Sequence, residues 1–202
     1  MNRSELKQSS NNRALSVIIP TYNEEKRIGQ TLSRLSSFLL TSQLKCEIIV
    51  VNDPGDDRTA EVVREFADNA SIKIILIETG ITLGKGGAIR VGVEKARGDI
   101  VLFMDADLPT ELSAIIQFYE LVNNGADCVF GTRLRSASFM KEPLVRRVLS
   151  CGFHVIFKAL FGLDYDTQCG VKCARRDVAL EIFQHVTVER FAYDVDFVVQ
   201  AK

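Results

Sequence analysis

The chain has 202 residues, 25 basic and 26 acidic side chains, a net charge of −1 and 47 % hydrophobic residues. That apolar fraction is ample for the core of one large domain and excludes disorder of the whole chain. The near-neutral balance, with no block of Lys and Arg, leaves no electrostatic footprint for nucleic acid, and no nucleic-acid partner is expected.

The first residues, to about position 13, are polar and lack the apolar centre of a signal peptide, so they read as a flexible leader. Strand-like runs and helical patterns then alternate: Leu15 to Ile19 and Arg27 to Leu40, Glu47 to Val51 and Arg58 to Ala67, Ile72 to Ile77 and Gly86 to Ala96, Ile100 to Met104 and Glu111 to Asn123. Such alternation predicts βαβ units and a mostly parallel sheet. A short strand, Asp127 to Phe130, precedes Gly131-Thr132-Arg133. The pattern changes at Leu144 to Leu163, a helix apolar nearly all round, with Arg147, Cys151, His154 and Lys158 in one stripe. That helix reads either as an internal one with a snorkelling edge or as an interfacial one resting on a membrane. The longest charge-free apolar run, Val148 to Phe157, is too short to span a bilayer, so a soluble or peripheral protein is expected.

Cys46, Cys128, Cys151, Cys169 and Cys173 form an odd set without a CxxC pair and read as reduced thiols of a cytosolic protein. With only His154 and His185, neither in a ligand-spaced motif, a zinc hydrolase or a serine-histidine triad has little to be built from.

The residues that carry chemistry gather where strands end. Ile100 to Met104 delivers Asp105 and Asp107, and open α/β sheets bind ligands beyond the carboxyl ends of their strands. Paired carboxylates there suit a hard cation, Mg²⁺ or Mn²⁺, that would neutralise a nucleotide diphosphate. The plainer reading is that Asp107, with Thr110 and Glu111, serves a turn and the next helix start. The other strands end in Pro20 to Glu24, Asn52 to Asp57 and Gly84 to Gly87. Tyr22 can stack on a base, Asp53 can accept hydrogen bonds from base or ribose, and Lys85 among glycines can approach phosphate. Each also reads singly as turn chemistry or a cap. A P-loop is excluded by spacing, since three residues separate Gly80 from Gly84-Lys85 and Gly86 follows. A dinucleotide fold would want its glycines after the first strand, where Pro20 to Glu24 stand instead.

In this order, Val17-Ile-Ile-Pro-Thr-Tyr-Asn-Glu24, Val50-Val-Asn-Asp53, Gly84-Lys-Gly86, Asp105-Ala-Asp107 and Gly131-Thr-Arg133 resemble a family-two glycosyltransferase with the GT-A fold. The resemblance runs from Leu15 to Lys202. Asp166-Thr-Gln-Cys-Gly-Val-Lys172 and Arg190-Phe-Ala-Tyr-Asp-Val-Asp196 are similar to the dolichyl-phosphate β-glucosyltransferase branch of the polyprenyl-phosphate hexose synthases more than to the mannosyl branch. The resemblance implies an α/β fold with a mostly parallel twisted sheet and helices on both faces, forming one GT-A domain over positions 14–202. Related transferases usually continue with a further strand, so the chain is expected to lack a C-terminal continuation.

By the same resemblance, Pro20, Tyr22, Glu24, Val51 and Asp53 hold base and ribose, while Asp105, Ala106 and Asp107 contact ribose, diphosphate and metal. Lys85 joins them as a phosphate contact, with Asp105 and Asp107 as the metal residues, Asp107 the direct ligand and Asp105 the supporting one. Arg133 faces the sugar diphosphate or the acceptor phosphate. The chain departs from the family where Asn52-Asp53-Pro54-Gly55 replaces Asp-Asp-Gly-Ser and where Phe191 replaces Trp.

The implied reaction is direct, inverting displacement at the sugar's anomeric carbon, from UDP-glucose in preference to GDP-mannose, onto a polyprenyl phosphate. Asp107, Arg133 and Asp194 are the residues expected to carry it. A lipid phosphate acceptor needs no strong base, whereas a hydroxyl acceptor would need Asp194 or Asp196. These two aspartates read equally as a solvated helix start, and Gln168 and Lys172 as sugar-pocket residues or a polar strand face. A cytoplasmic protein, peripheral on the cytoplasmic face of a membrane, follows from such an acceptor. The competing expectations are a nucleotide-sugar binding protein without turnover and a nucleotidyltransferase, which also uses an acidic pair at a sheet edge.

Overall fold

A computed structural model describes residues 13–108, 111–131, 170–187 and 193–201. The expected leader, Arg133, the apolar helix from Leu144 to Leu163, Gln168 and Phe191 lie outside the described residues.

Strands β1 (Leu15–Thr21), β2 (Cys46–Asn52), β3 (Lys73–Glu78), β4 (Ile100–Phe103), β5 (Cys128–Phe130) and β6 (Lys172–Arg175) form one sheet in the order β3-β2-β1-β4-β6-β5. β1 pairs in parallel with β2 and β4, and β2 with β3, while β6 runs antiparallel to both β4 and β5. The helices are α1 (Ile28–Thr41), α2 (Thr59–Asp68), α3 (Gly84–Lys95), α4 (Ser113–Asn123), α5 (Arg176–His185) and α6 (Tyr193–Gln200).

The near-continuous apolar runs of β1, β2 and β4 follow from burial on both faces, as a parallel sheet covered by crossover helices requires. Side chains alternate across the sheet, so Leu15, Val17 and Ile19 pack with Leu32, Leu35, Val63, Ile115 and Tyr119 of α1, α2 and α4. Ile18, Ile49, Val101 and Phe103 face the other way, against Ile89 and Val93 of α3, Phe183 of α5 and Phe197 of α6. Helix α3 lies especially close: a Cβ on Gly92 would stand 2.4 Å from Ile18 Cγ2, so only glycine admits that approach.

The element types expected in the first 130 residues are all present, with boundaries shifted by one or two residues. What no periodicity announced is β6 entering between β4 and β5, and α5 following it. A four-residue strand between Val171 and Arg176 carries too short a pattern, and its place in the sheet depends on partners far along the chain.

The order makes β1 the switch point, with β2 and β3 added on one side and β4 on the other. Ligands in open α/β sheets bind beyond the strands' carboxyl ends at such a point. Here the loops following β1 and β4 flank it.

Candidate active site

The loop after β1 is built to present Tyr22 and to hold everything around it. Thr21 is buried and donates to Asn52 Oδ1 at 2.9 Å, while the Tyr22 ring is 56 % exposed. Asn23 takes a left-handed φ of 55°, and its Oδ1 accepts the Asp56 N–H at 3.0 Å. A Cβ at position 55 would fall 2.0 Å from that oxygen, so a larger residue than Gly55 would require the Asn23 side chain to shift.

The next residues lock the first two loops together. Asp57 accepts N–H groups from Thr59 at 3.0 Å and Glu25 at 2.9 Å, and the Thr59 hydroxyl at 2.6 Å. Burial raises the Asp57 carboxyl, but these bonds outweigh it and hold it below its ordinary value. The Thr59 hydroxyl in turn accepts the Glu24 N–H at 2.8 Å. The Glu24 carboxylate stands 3.0 Å from Arg27 Nε. Burial raises it most; Arg27 opposes that, and the charges of Asp107 and Asp57 reinforce it, so the net shift is upward. Glu24 therefore feels Asp107 across the switch point, carboxylate near carboxylate.

Asp53 is 3 % exposed and braces the site from within. Its Oδ1 accepts the Thr79 hydroxyl at 2.9 Å, and its Oδ2 accepts the Gly84 N–H at 2.7 Å, at the start of α3. Gly84 has φ 74°, a turn into the helix that glycine adopts freely. Val51 is fully buried, and Pro20 is its register partner across β1 and β2.

Beyond β4 the two aspartates part. Asp107 is exposed, Ala106 is buried, and the Ala106 carbonyl accepts the Thr31 hydroxyl of α1. Leu108 takes φ 54°, an uncommon left-handed conformation for a leucine that turns the chain back after Asp107. Asp105 instead points inward, its Oδ1 2.7 Å from Lys85 Nζ in the first turn of α3. The same ammonium is 3.7 Å from Oδ2 of Asp194, whose Oδ1 is 2.5 Å from Lys172 Nζ.

Of the expected residues, Tyr22, Glu24, Asp53, Lys85, Asp105, Asp107 and Asp194 thus lie on the carboxyl side of the sheet, with Lys85, Asp105 and Asp194 joined by ion pairs. Asp196 does not join them: its Oδ2 accepts the Thr187 N–H at 2.8 Å, and Gln200 Nε2 lies 3.2 Å from Oδ1. The residue underrated in the sequence is Lys172, buried and paired. Its signal was available, because a lysine inside Val171-Lys172-Cys173-Ala174 sits in an apolar strand and requires a carboxylate partner. Cys46, Cys128 and Cys173 are free thiols, as expected. Burial first, then Asp127, pushes the Cys128 thiol up to about 12, so it is no nucleophile at neutral pH.

The donors offered to a metal are oxygens only. Among the described residues no group of three or more His, Cys, Asp or Glu is arranged to cage an ion. One exposed carboxylate, Asp107, beside the ion-paired Asp105 fits a hard cation shared with substrate phosphates, the usual manner of Mg²⁺, rather than a site closed by protein alone.

A six-stranded, mostly parallel α/β/α sheet with an acidic turn at its switch point is the GT-A architecture of nucleotide-diphospho-sugar transferases. The chain belongs to glycosyl transferase family 2, whose family model matches residues 16–183. It is 35 % identical to a dolichyl-phosphate beta-glucosyltransferase of Trichomonas vaginalis, over 93 % of this chain and 61 % of that protein. It is 32 % identical to the human dolichyl-phosphate beta-glucosyltransferase, over 93 % of this chain and 63 % of that one. The chain therefore spans about three fifths of the length of these curated relatives. Among solved structures it is similar to glucosyl-3-phosphoglycerate synthase from Mycobacterium tuberculosis, in complex with Mn²⁺, UDP-glucose and phosphoglyceric acid. The TM-score is 0.60 and the identity 22 %, over 89 % of this chain and 62 % of that one. A mannosyltransferase from Pyrobaculum calidifontis, in complex with GDP-mannose and Mn²⁺, gives a TM-score of 0.57 at 20 % identity, over 82 % of this chain and 45 % of that one.

Proposed function

We propose that the chain transfers a hexose, glucose from UDP-glucose in preference to mannose from GDP-mannose, to a polyprenyl phosphate such as dolichyl phosphate, inverting the anomeric centre. What carries the reading is the exposed Asp107 beside the Lys85–Asp105 pair at the switch point, in a chain whose relatives are named dolichyl-phosphate beta-glucosyltransferases. Tyr22 stacks on the base, Glu24 and Asp53 border the base and ribose with Pro20 and Val51 beneath, and Ala106 with Asp105 approaches ribose and diphosphate. Asp107 would hold Mg²⁺ or Mn²⁺ directly, with Asp105 in support. The cation, when bound, neutralises the diphosphate and stabilises the charge that grows as it leaves.

The chain's own residues align the donor so that an oxygen of the acceptor phosphate attacks the anomeric carbon while the bond to the diphosphate breaks. Lys85, and Arg133 in this reading, offer positive charge to the two phosphates. Such an acceptor is already anionic and needs no proton removed. The engagement of Asp194 by Lys85 and Lys172, and of Asp196 by Thr187 and Gln200, favours this acceptor over a hydroxyl, which would need one of these carboxylates as base. A lipid acceptor makes the protein work at a bilayer surface, peripherally and on the cytoplasmic face. Among the described residues no helix is long and apolar enough to cross a membrane.

Calorimetric titration of UDP-glucose and GDP-mannose, with and without Mn²⁺, tests the donor side, and transfer of labelled glucose to a polyprenyl phosphate tests the acceptor side. UDP-glucose binding that requires Mn²⁺ is expected. Equal binding without metal, or no binding of either donor, would overturn the reading.

A further inference from the structure

Lys172 places a charge where the surrounding sequence builds core. It pairs in register with Phe103 of β4, is 1 % exposed, and has Val171, Cys173 and Ala174 buried beside it. An ammonium so placed persists only with a close counter-charge. That counter-charge is Asp194, 2.5 Å away at the start of α6. The wholly buried Tyr193 ring lies 5.7 Å from the Lys85 ammonium and 5.8 Å from the Lys172 ammonium, within cation–π reach of both.

Four charges therefore alternate from the sheet interior to the crevice: Lys172, Asp194, Lys85, Asp105. An anchor for α6 would need only the first pair. The longer series leaves Lys85 between two carboxylates, Asp105 at 2.7 Å and Asp194 at 3.7 Å. Which of them Lys85 favours depends on how far Asp194 is already neutralised. With Lys172 against it, Asp194 exerts a weakened pull and Lys85 stays beside the acidic turn. Without Lys172, Asp194 becomes a largely desolvated anion whose nearest remaining ammonium in the series is Lys85, and it draws Lys85 away from the crevice.

We propose that Lys172 is a positioning residue: by neutralising Asp194 it keeps Lys85 at the crevice, free to exchange Asp105 for the oxygens of the donor diphosphate. The inference rests on the donor reading above. It also gives Asp105 a second state, paired with Lys85 when the crevice is empty and released toward ribose and diphosphate when Lys85 moves to the donor.

A double-mutant cycle on the binding of UDP with Mn²⁺ separates positioning from mere structure. Lys172→Met is expected to weaken binding about ten-fold, Lys172→Arg to restore most of it, and Lys172→Met made in an Asp194→Asn background to change it by less than about three-fold. A lysine that only anchors α6 through Asp194 would lower the urea midpoint without changing the affinity of the folded fraction, so native affinity in Lys172→Met, or an equal loss of affinity in both backgrounds, overturns the inference. Should Lys172→Met fail to fold, the K172M/D194N variant, which removes both partners of the pair, is compared with the native chain; affinity within about three-fold of native is expected, and a ten-fold loss overturns the inference equally. A native chain that binds neither UDP nor GDP with Mn²⁺ would sink the donor reading, whereas additive losses on a native chain that binds would sink only the role of Lys172.

Discussion

At the amino edge of the sheet Glu47 is buried and both of its oxygens are met. Oε1 accepts the Ser16 hydroxyl at 2.9 Å and the Arg97 N–H at 2.8 Å, and Oε2 lies 3.0 Å from Lys73 Nζ. Ser16 also accepts the Gly98 N–H at 2.9 Å, so one carboxylate ties together β1, β2, β3 and the turn before β4. At the carboxyl edge the charges are as numerous but arranged otherwise. Asp107 is exposed, Glu24 is raised partly by the charge of Asp107, and Lys85 is shared by two carboxylates. Buried charge that serves architecture is saturated by fixed partners. On the proposed function, charge that meets the ligand is left exchangeable, at some cost to stability.

That contrast predicts opposite phenotypes for carboxylates at the two edges. On the proposed function the largest effect is expected at Asp107: Asp107→Ala should lower glucosyl transfer at least about 100-fold, as loss of a group that stabilises a leaving oxyanion does. Its unfolding free energy stays within about 0.5 kcal/mol of native, as for other exposed positions. Turnover and urea denaturation of the same preparation check both halves, and a destabilised but active variant would break the comparison.

Glu47→Ala should do the reverse, destabilising by about 2–3 kcal/mol because buried donors lose their acceptor, with UDP affinity unchanged in the folded fraction. The same carboxylate gives the amino edge a pH signature. Burial pushes Glu47 up, but the hydrogen bonds from Arg97, Lys73 and Ser16 outweigh it and hold it below its ordinary value. Its contribution is therefore present above its unfolded pKa and is lost as pH falls through the lower folded value. Urea midpoints measured from about pH 5 down to about pH 3 should fall less steeply for Glu47→Gln than for the native chain. Identical slopes would mean that Glu47 is not the linked group.

The smallest effect is expected at Tyr22. Its exposed ring makes Tyr22→Ala nearly neutral for stability, while loss of base stacking weakens UDP binding by about 1 kcal/mol, five- to ten-fold. Calorimetry of UDP against uridine-free diphosphate with Mn²⁺ would sharpen the comparison, since only the former should respond to the substitution.

Much of this was legible in the sequence for a local reason. Strands β1, β2 and β4 are near-continuously apolar between their ends because both faces are buried, and the polar residues that end them stand out against that background. The acidic turn Asp105 to Asp107, the glycines that open α3 and the Pro20 to Glu24 loop could all be assigned to one edge once the βαβ alternation was recognised, because every parallel strand ends on the same side. Their spacing alone would have put Asp105 and Asp107 on one face of a continued strand; the turn that follows β4 is what gives them different surroundings, Asp105 against Lys85 and Asp107 exposed.

Only the tertiary structure decided which charges meet. Lys172 and Asp194 are 22 residues apart, and Lys85 reaches them from α3, so no local pattern links the three. Asp53 looked like a ligand contact in the sequence, yet in the fold it also caps the start of α3 through Gly84. Whether β6 enters beside β4 is fixed by packing of its buried residues against both cores, not by its four-residue pattern. Periodicity reports how a segment faces its immediate surroundings; ion pairs between distant segments depend on the complete sheet order, which no single segment encodes.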